Sequence, residues 1–172
     1  EPVTTRAQYF AEILEPTWRD IAPLDPDQLL REEWLNSRGV VAKFFRDALE
    51  IRVLDVQENP AADLAICSLV VAVLRALCEE RWCSLAALAD LPTEELADVL
   101  WSVAKDGDEA VIEHPGLLLA LGLSTAPQRA IDVWRKLASG VVPGSEVFDP
   151  EVKGALATIL TRGPLDRKST RL

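Results

Sequence analysis

Glu50 and Arg52 stand two residues apart in the stretch ALEIRVLDVQENP, which spans residues 48–60. On an extended strand side chains alternate, so these two point to one face while Leu49, Ile51 and Val53 point to the other. Facing a cleft, a carboxylate and a guanidinium so placed are a candidate site. Facing water, they are the solubilising side of an antiparallel sheet. Asp55 falls on the apolar side by parity and reads as the end of the strand.

The other chemistry-bearing residues offer less. His114 is the only histidine and precedes Pro115 in a loop. With Cys67, Cys78 and Cys83 it lacks the paired-cysteine knuckle of a zinc site. Cys67 and Cys78 are eleven apart, share a helical face and read as small buried hydrophobes. The basic tail from Arg162 to Arg171 reads as a solvated terminus. No glycine-rich phosphate loop, nucleophile elbow or metal-binding helix motif is present.

Composition sets the frame for these residues. The 172 residues are 49% hydrophobic and 27% charged with five Trp, which is the make-up of one folded domain. A formal net charge of −10 argues against nucleic acid and anionic membrane surfaces as partners. The chain starts Glu1-Pro2, contains no Met and shows no secretory signal, so it reads as a piece of a longer polypeptide. Its longest apolar run, Leu64 to Cys78, is broken by Ser68 and Arg75 and falls short of the roughly 20 residues of a membrane span. That run is expected to be a core helix. An odd number of cysteines fits reduced thiols and a cytoplasmic location.

The elements that must position the site follow from periodicity. Phe10, Ile13, Leu14, Trp18 and Ile21 recur at helical spacing between Thr5 and about Ala22, with Pro16 marking a kink or a new start. Asp25 before Pro26 is placed to cap a short helix through Leu30. The period then changes: Val40 to Arg46 and Leu49 to Val56 read as two antiparallel strands joined at Arg46-Asp47. A lone hairpin is marginal in water, so the rest of its sheet is expected from elsewhere.

Asn59 and Pro60 open a helix running to about Trp82, apolar nearly all round and so expected to be covered, with Leu69, Val73 and Leu77 buried. Further helices are expected over Thr93 to Lys105, Pro115 to Leu121, Thr125 to Ser139 and Asp149 to Arg162. The apolar face of the hairpin is expected to pack under the Asn59 helix, leaving Glu50 and Arg52 on the open side.

The segment ALEIRVLDVQENPAADLAICSLVVAVLRAL resembles the C-terminal half of the glutamate–cysteine ligase type 2 family, which includes carboxylate–amine ligases. There a strand of the form (V/L)-E-(I/L/V)-R is followed by (L/C/M)-D and a long apolar helix. WLNSRG upstream, and DGDEAVIEHPGLLLALGL and TRGPLDRKSTRL downstream, are similar to other parts of that half.

The resemblance implies an α+β fold: a mainly helical C-terminal portion, residues 1–172, of a glutamine-synthetase-like ligase core. Residues 1–36 would be helices and loop, 37–58 a β-hairpin belonging to a larger antiparallel sheet, and 59–172 a helical layer. It implies ATP-dependent joining of the glutamate γ-carboxylate to an amine, most often that of cysteine, through an acyl phosphate. ATP and Mg2+ would be the cofactors, Glu50 a magnesium ligand, Arg52 a contact to the transferring phosphoryl group and Arg38 a second anion contact. The family's other metal carboxylates lie in its N-terminal half, the implied partner of this chain, and a homo-oligomer is left open. The alternative is a non-catalytic helical interaction module whose strand charges are solvated.

Overall fold

The computed structural model describes residues 3–57, 59–143 and 148–163. The chain forms two compact units, Glu1–Asp55 and Val56–Leu172. It is mixed α+β, mainly helical with an antiparallel hairpin. The basic tail beyond Gly163 lies outside the described residues.

The first unit opens on a capping box, in which Thr5 and Gln8 satisfy each other's free backbone N–H groups. Helix α1 (Arg6–Tyr9) passes through a π-helical turn, Phe10–Leu14, into α2 (Glu15–Ile21). In the wider turn the Glu15 N–H donates to the Phe10 carbonyl five residues back, which accommodates Pro16, whose ring would crowd an ordinary turn and which has no N–H to give.

Asp25 starts no helix. Its two carboxylate oxygens accept from the N–H groups of Leu29 at 2.9 Å and Leu30 at 2.7 Å, folding residues 25–30 into turns with Gln28 at φ 54°. Residues 31–36 hold a single 3-10 turn, Glu33–Leu35.

Strands β1 (Val40–Lys43) and β2 (Ala48–Ile51) pair antiparallel, Val41 opposite Glu50 and Ala42 opposite Leu49. Both are shorter than the sequence pattern suggests. Phe44–Arg46 turns into a 3-10 segment and Asp47 adopts the left-handed conformation, φ 47°, which a short polar side chain tolerates. The turn carries the Phe44 ring onto Tyr9 and Phe10, at centroid distances of 5.3 Å each, with the Arg6 guanidinium 4.8 Å above Phe44.

The hairpin is inverted relative to expectation. Val41, on the Glu50 side, is fully buried, whereas Leu49 and Val53 on the apolar side are 64% and 54% exposed. Within the unit the Tyr9 hydroxyl accepts from the Ala42 N–H at 3.3 Å and from the side-chain amide of the buried Asn36 at 3.0 Å, which ties β1 to α1 and to the turn before it.

The second unit is built on α3 (Pro60–Cys78). The Asn59 side chain accepts from the Ala62 N–H at 2.9 Å and Pro60 occupies the first helical position. Ala65, Leu69, Val73 and Ala76 form its buried stripe against α7 (Ala130–Val141) and α8 (Pro150–Arg162). Leu69 and Val73 are buried as expected; Leu77 is only half-buried.

The expectation of cover on most sides fails. Leu64, Cys67, Val71, Leu74 and Cys78, spaced three, four, three and four residues apart, form an exposed stripe. Two cysteines read as buried are therefore exposed. The helix also starts four residues before the apolar run, and its nineteen residues are long and apolar enough to cross a bilayer by length and composition.

Helix α4 (Leu85–Ala89), capped by Ser84, was not expected. Helix α5 (Thr93–Asp106) ends at Gly107 with φ 61°, where only glycine is unstrained. Strand β3 (Val111–Ile112) pairs with β4 (Gln128–Arg129), so α7 begins five residues later than the pattern from Thr125 suggests. Between them α6 (Pro115–Ala120) is capped by His114. Gly122 follows at φ 70°, where an added Cβ would sit 2.7 Å from the Trp82 ring. Asp149 caps α8 through the Val152 N–H at 2.8 Å, and Arg135 Nε donates to the Leu160 carbonyl at 2.8 Å, tying α7 to α8.

Candidate functional site

The structure brings Glu50 and Arg52 together on one face of the hairpin. Arg52 Nε donates to Glu50 Oε1 at 2.9 Å, and its Nη1 donates to the carbonyls of Trp34 at 3.2 Å and Asn36 at 3.1 Å. Strand pairing carries this far: the Arg52 N–H still donates to the Gly39 carbonyl at 2.7 Å, one residue beyond β2. The guanidinium thus closes the open end of the hairpin onto the 33–36 turn. Its Nη2 makes no hydrogen bond within the described residues and is the part of the fork left to meet another oxyanion.

Lys43 is the member that sequence reasoning missed. Its Nζ lies 3.3 Å from Glu50 Oε2, so each carboxylate oxygen carries one cation. The Arg52 hydrogen bond first, and the Lys43 hydrogen bond second, hold the Glu50 carboxyl below its ordinary range. One carboxylate, one ammonium and one guanidinium leave a local charge of +1 in a protein whose net charge is −10. The signal for Lys43 was available as parity, since Lys43 shares the face of Val41 and Glu50 once the register is known.

Asn36 is the second residue that sequence reasoning missed. Only 3% exposed, it donates through Nδ2 to the Tyr9 hydroxyl at 3.0 Å and to the Glu33 carbonyl at 3.3 Å. Its Oδ1 accepts from the Arg38 N–H at 3.1 Å, and its main-chain carbonyl accepts from Arg52. A buried amide this fully used fixes the turn relative to both helix and hairpin. Arg38 therefore enters the assembly through its backbone, next to Gly39 at the Arg52 end of the strand pair.

The arrangement suits an anion better than a metal. Magnesium takes oxygen ligands and retains several waters, usually with one or two carboxylates. Here Glu50 is the single carboxylate of the set, and both its oxygens are already turned to cations. The set does not by itself make a magnesium site.

His114 belongs elsewhere. Its Nδ1 accepts from the Leu117 N–H at 3.2 Å, capping α6, and its Nε2 lies 3.1 Å from a Glu95 carboxylate oxygen on α5. That is a structural role between two helices.

Comparison with known proteins adds one relative. A stretch of 81 residues, 47% of this chain, is 40% identical to a protein of Archaeoglobus fulgidus described only as uncharacterized, and makes up 20% of that protein's length. The chain therefore matches about a fifth of a longer relative. No family model matches the chain, and no solved structure does.

Proposed function

We propose that the chain is the C-terminal portion of an ATP-dependent carboxylate–amine ligase, acting on glutamate and an amine such as that of cysteine. The observation that carries the reading is the Lys43–Glu50–Arg52 set: a cationic, preorganised cluster across the hairpin of an otherwise acidic protein. Making an acyl phosphate brings a carboxylate and a nucleotide phosphate together. A guanidinium fork already held at Nε and Nη1, with Nη2 open, stabilises the charge that accumulates without reorganising in the transition state.

In this reading Arg52 contacts the transferring phosphoryl group, Lys43 adds a second cation, Glu50 orients Arg52, and Arg38 stands as a further anion contact at the hairpin end. ATP supplies the phosphoryl group. Magnesium and its further carboxylates belong to the rest of a longer polypeptide, as does the remainder of the sheet. The uncovered apolar face of Leu49 and Val53, and the much greater length of the archaeal relative, support a hairpin that is part of something larger.

The test is ADP release by a polypeptide in which this chain is joined to its missing half. Release that requires glutamate and an amine together supports the ligase. Release indifferent to both, or none across the common amino acids and amines, removes it.

One observation favours a second reading, a helical interaction module: the exposed Leu64–Cys67–Val71–Leu74–Cys78 stripe has the 3-4 spacing of a helix-pairing seam. Sedimentation of the chain alone separates them, since a module that pairs through this stripe loses its partner when Val71 becomes Glu, with no effect on any catalysis.

A further inference from the structure

A second cluster of arginines lies in the first unit, apart from Arg52. Helix α2 and the turns of residues 25–31 enclose a half-open cavity of about 400 Å3, the scale of a small-ligand pocket. Arg19 and Arg31 both line it. Arg31 is held in place, its guanidinium 5.2 Å over the Trp18 ring and its Nη1 donating to Gln28 Oε1 at 3.4 Å. Arg19 makes no hydrogen bond, ion pair or ring contact through its side chain among the described residues.

Arg52, Arg81, Arg129 and Arg135 each find a carboxylate, whereas Arg6, Arg46 and Arg75, like Arg19 and Arg31, have none within ion-pair distance among the described residues. Arg19 and Arg31 differ from the others in lining one cavity. The two cavity arginines find none within ion-pair distance, although Glu15 and Asp25 line the same space. Asp25 is unavailable because both its oxygens accept from the backbone N–H groups of Leu29 and Leu30. Those bonds also fix the turn that forms one wall. The remaining wall is apolar: Trp18, Ile21 and Pro26.

We propose that this cavity binds a small organic monocarboxylate, its head between Arg19 and Arg31 and its apolar body against Trp18 and Ile21. Planar guanidinium forks match a carboxylate in shape and hydrogen-bond count. Glu15 and Asp25 place two carboxylates at the cavity, and these disfavour a doubly charged phosphate more than a singly charged head. The site is independent of the ligase reading, since it draws on none of Lys43, Glu50, Arg52 or Arg38.

The experiment uses the full chain and two probes of matched body, phenylacetate and phenyl phosphate. The Trp18 indole N–H, which donates to the Glu32 carbonyl at 3.1 Å, is the reporter by nuclear magnetic resonance, assigned by its loss in Trp18→Phe. The expected result is a saturable shift with phenylacetate, weakened at least about tenfold in Arg19→Gln and in Arg31→Gln, as the loss of a charge-assisted pair implies. Arg19→Gln is the decisive variant, because that side chain supports no fold contact and its loss leaves the rest of the spectrum unchanged. A linear, unsaturated shift, or equal affinity in wild type and Arg19→Gln, overturns the site. Tighter binding of phenyl phosphate than of phenylacetate overturns the assignment to a monocarboxylate.

Discussion

Arg52 donates to Glu50 at 2.9 Å while the same guanidinium holds two main-chain carbonyls, those of Trp34 and Asn36. The pair is therefore a structural clasp as well as a charged site: Glu50 orients the fork, and the fork joins hairpin to turn. Any substitution of Arg52 touches both functions.

Arg52→Gln is expected to destabilise the first unit by about 1–3 kcal/mol, the usual range for losing hydrogen bonds to a charged donor. Arg52→Lys keeps the charge and loses the fork, so it falls between the two. Urea unfolding followed at Trp34 measures this; unchanged midpoints in both variants would mean the clasp contributes nothing.

The Glu50 carboxyl is held below its ordinary range by Arg52 and then Lys43. A carboxylate depressed in the folded state contributes stability that is present above its unfolded pKa and lost as pH falls through the folded one. Its titration by nuclear magnetic resonance should have a midpoint below that of an ordinary glutamate in the wild type and move back toward the ordinary range in Arg52→Gln. A normal midpoint in the wild type would contradict the ion pair.

On α3 the two faces should respond differently. Leu69 is 5% exposed in the core, so Leu69→Ala is expected to cost about 2–5 kcal/mol. Leu64 is 58% exposed, and Leu64→Ala should cost less than about 1 kcal/mol. Equal losses at both positions, read from urea titrations, would mean that the outer stripe is covered as well.

The exposed thiols offer a chemical check on the same stripe. Cys67 and Cys78 should react with a thiol reagent in the native protein faster than the half-buried Cys83. Protection of Cys67 and Cys78 equal to that of Cys83 would show that something covers the outer face.

Much of the fold was legible because it rests on local rules. Asn59-Pro60, Asp149-Pro150 and Gly107 mark helix ends by capping chemistry and backbone freedom, and the structure places those ends there. The hairpin was legible from its period of two. Which of its faces is packed was not, because that depends on Tyr9, distant in sequence, on the turn at Asn36, and on Arg52 finding carbonyls that satisfy its charge. For the same reason periodicity could not show that α3 has one covered face: a helix apolar on all sides looks the same whether or not a neighbour is present. The Glu50–Arg52 pairing followed from parity alone. Lys43 required the register, and Asn36 required the turn.

The most direct measurement of the central claim is glutamate- and cysteine-dependent ADP release by the longer polypeptide carrying Glu50→Gln or Arg52→Lys, each first shown to be folded. If the clasp serves phosphoryl transfer, each change should lower turnover at least about a hundredfold, the scale of losing one preorganised electrostatic contact. Turnover near that of the wild type in both variants would contradict the account and leave Glu50 and Arg52 as a structural clasp alone.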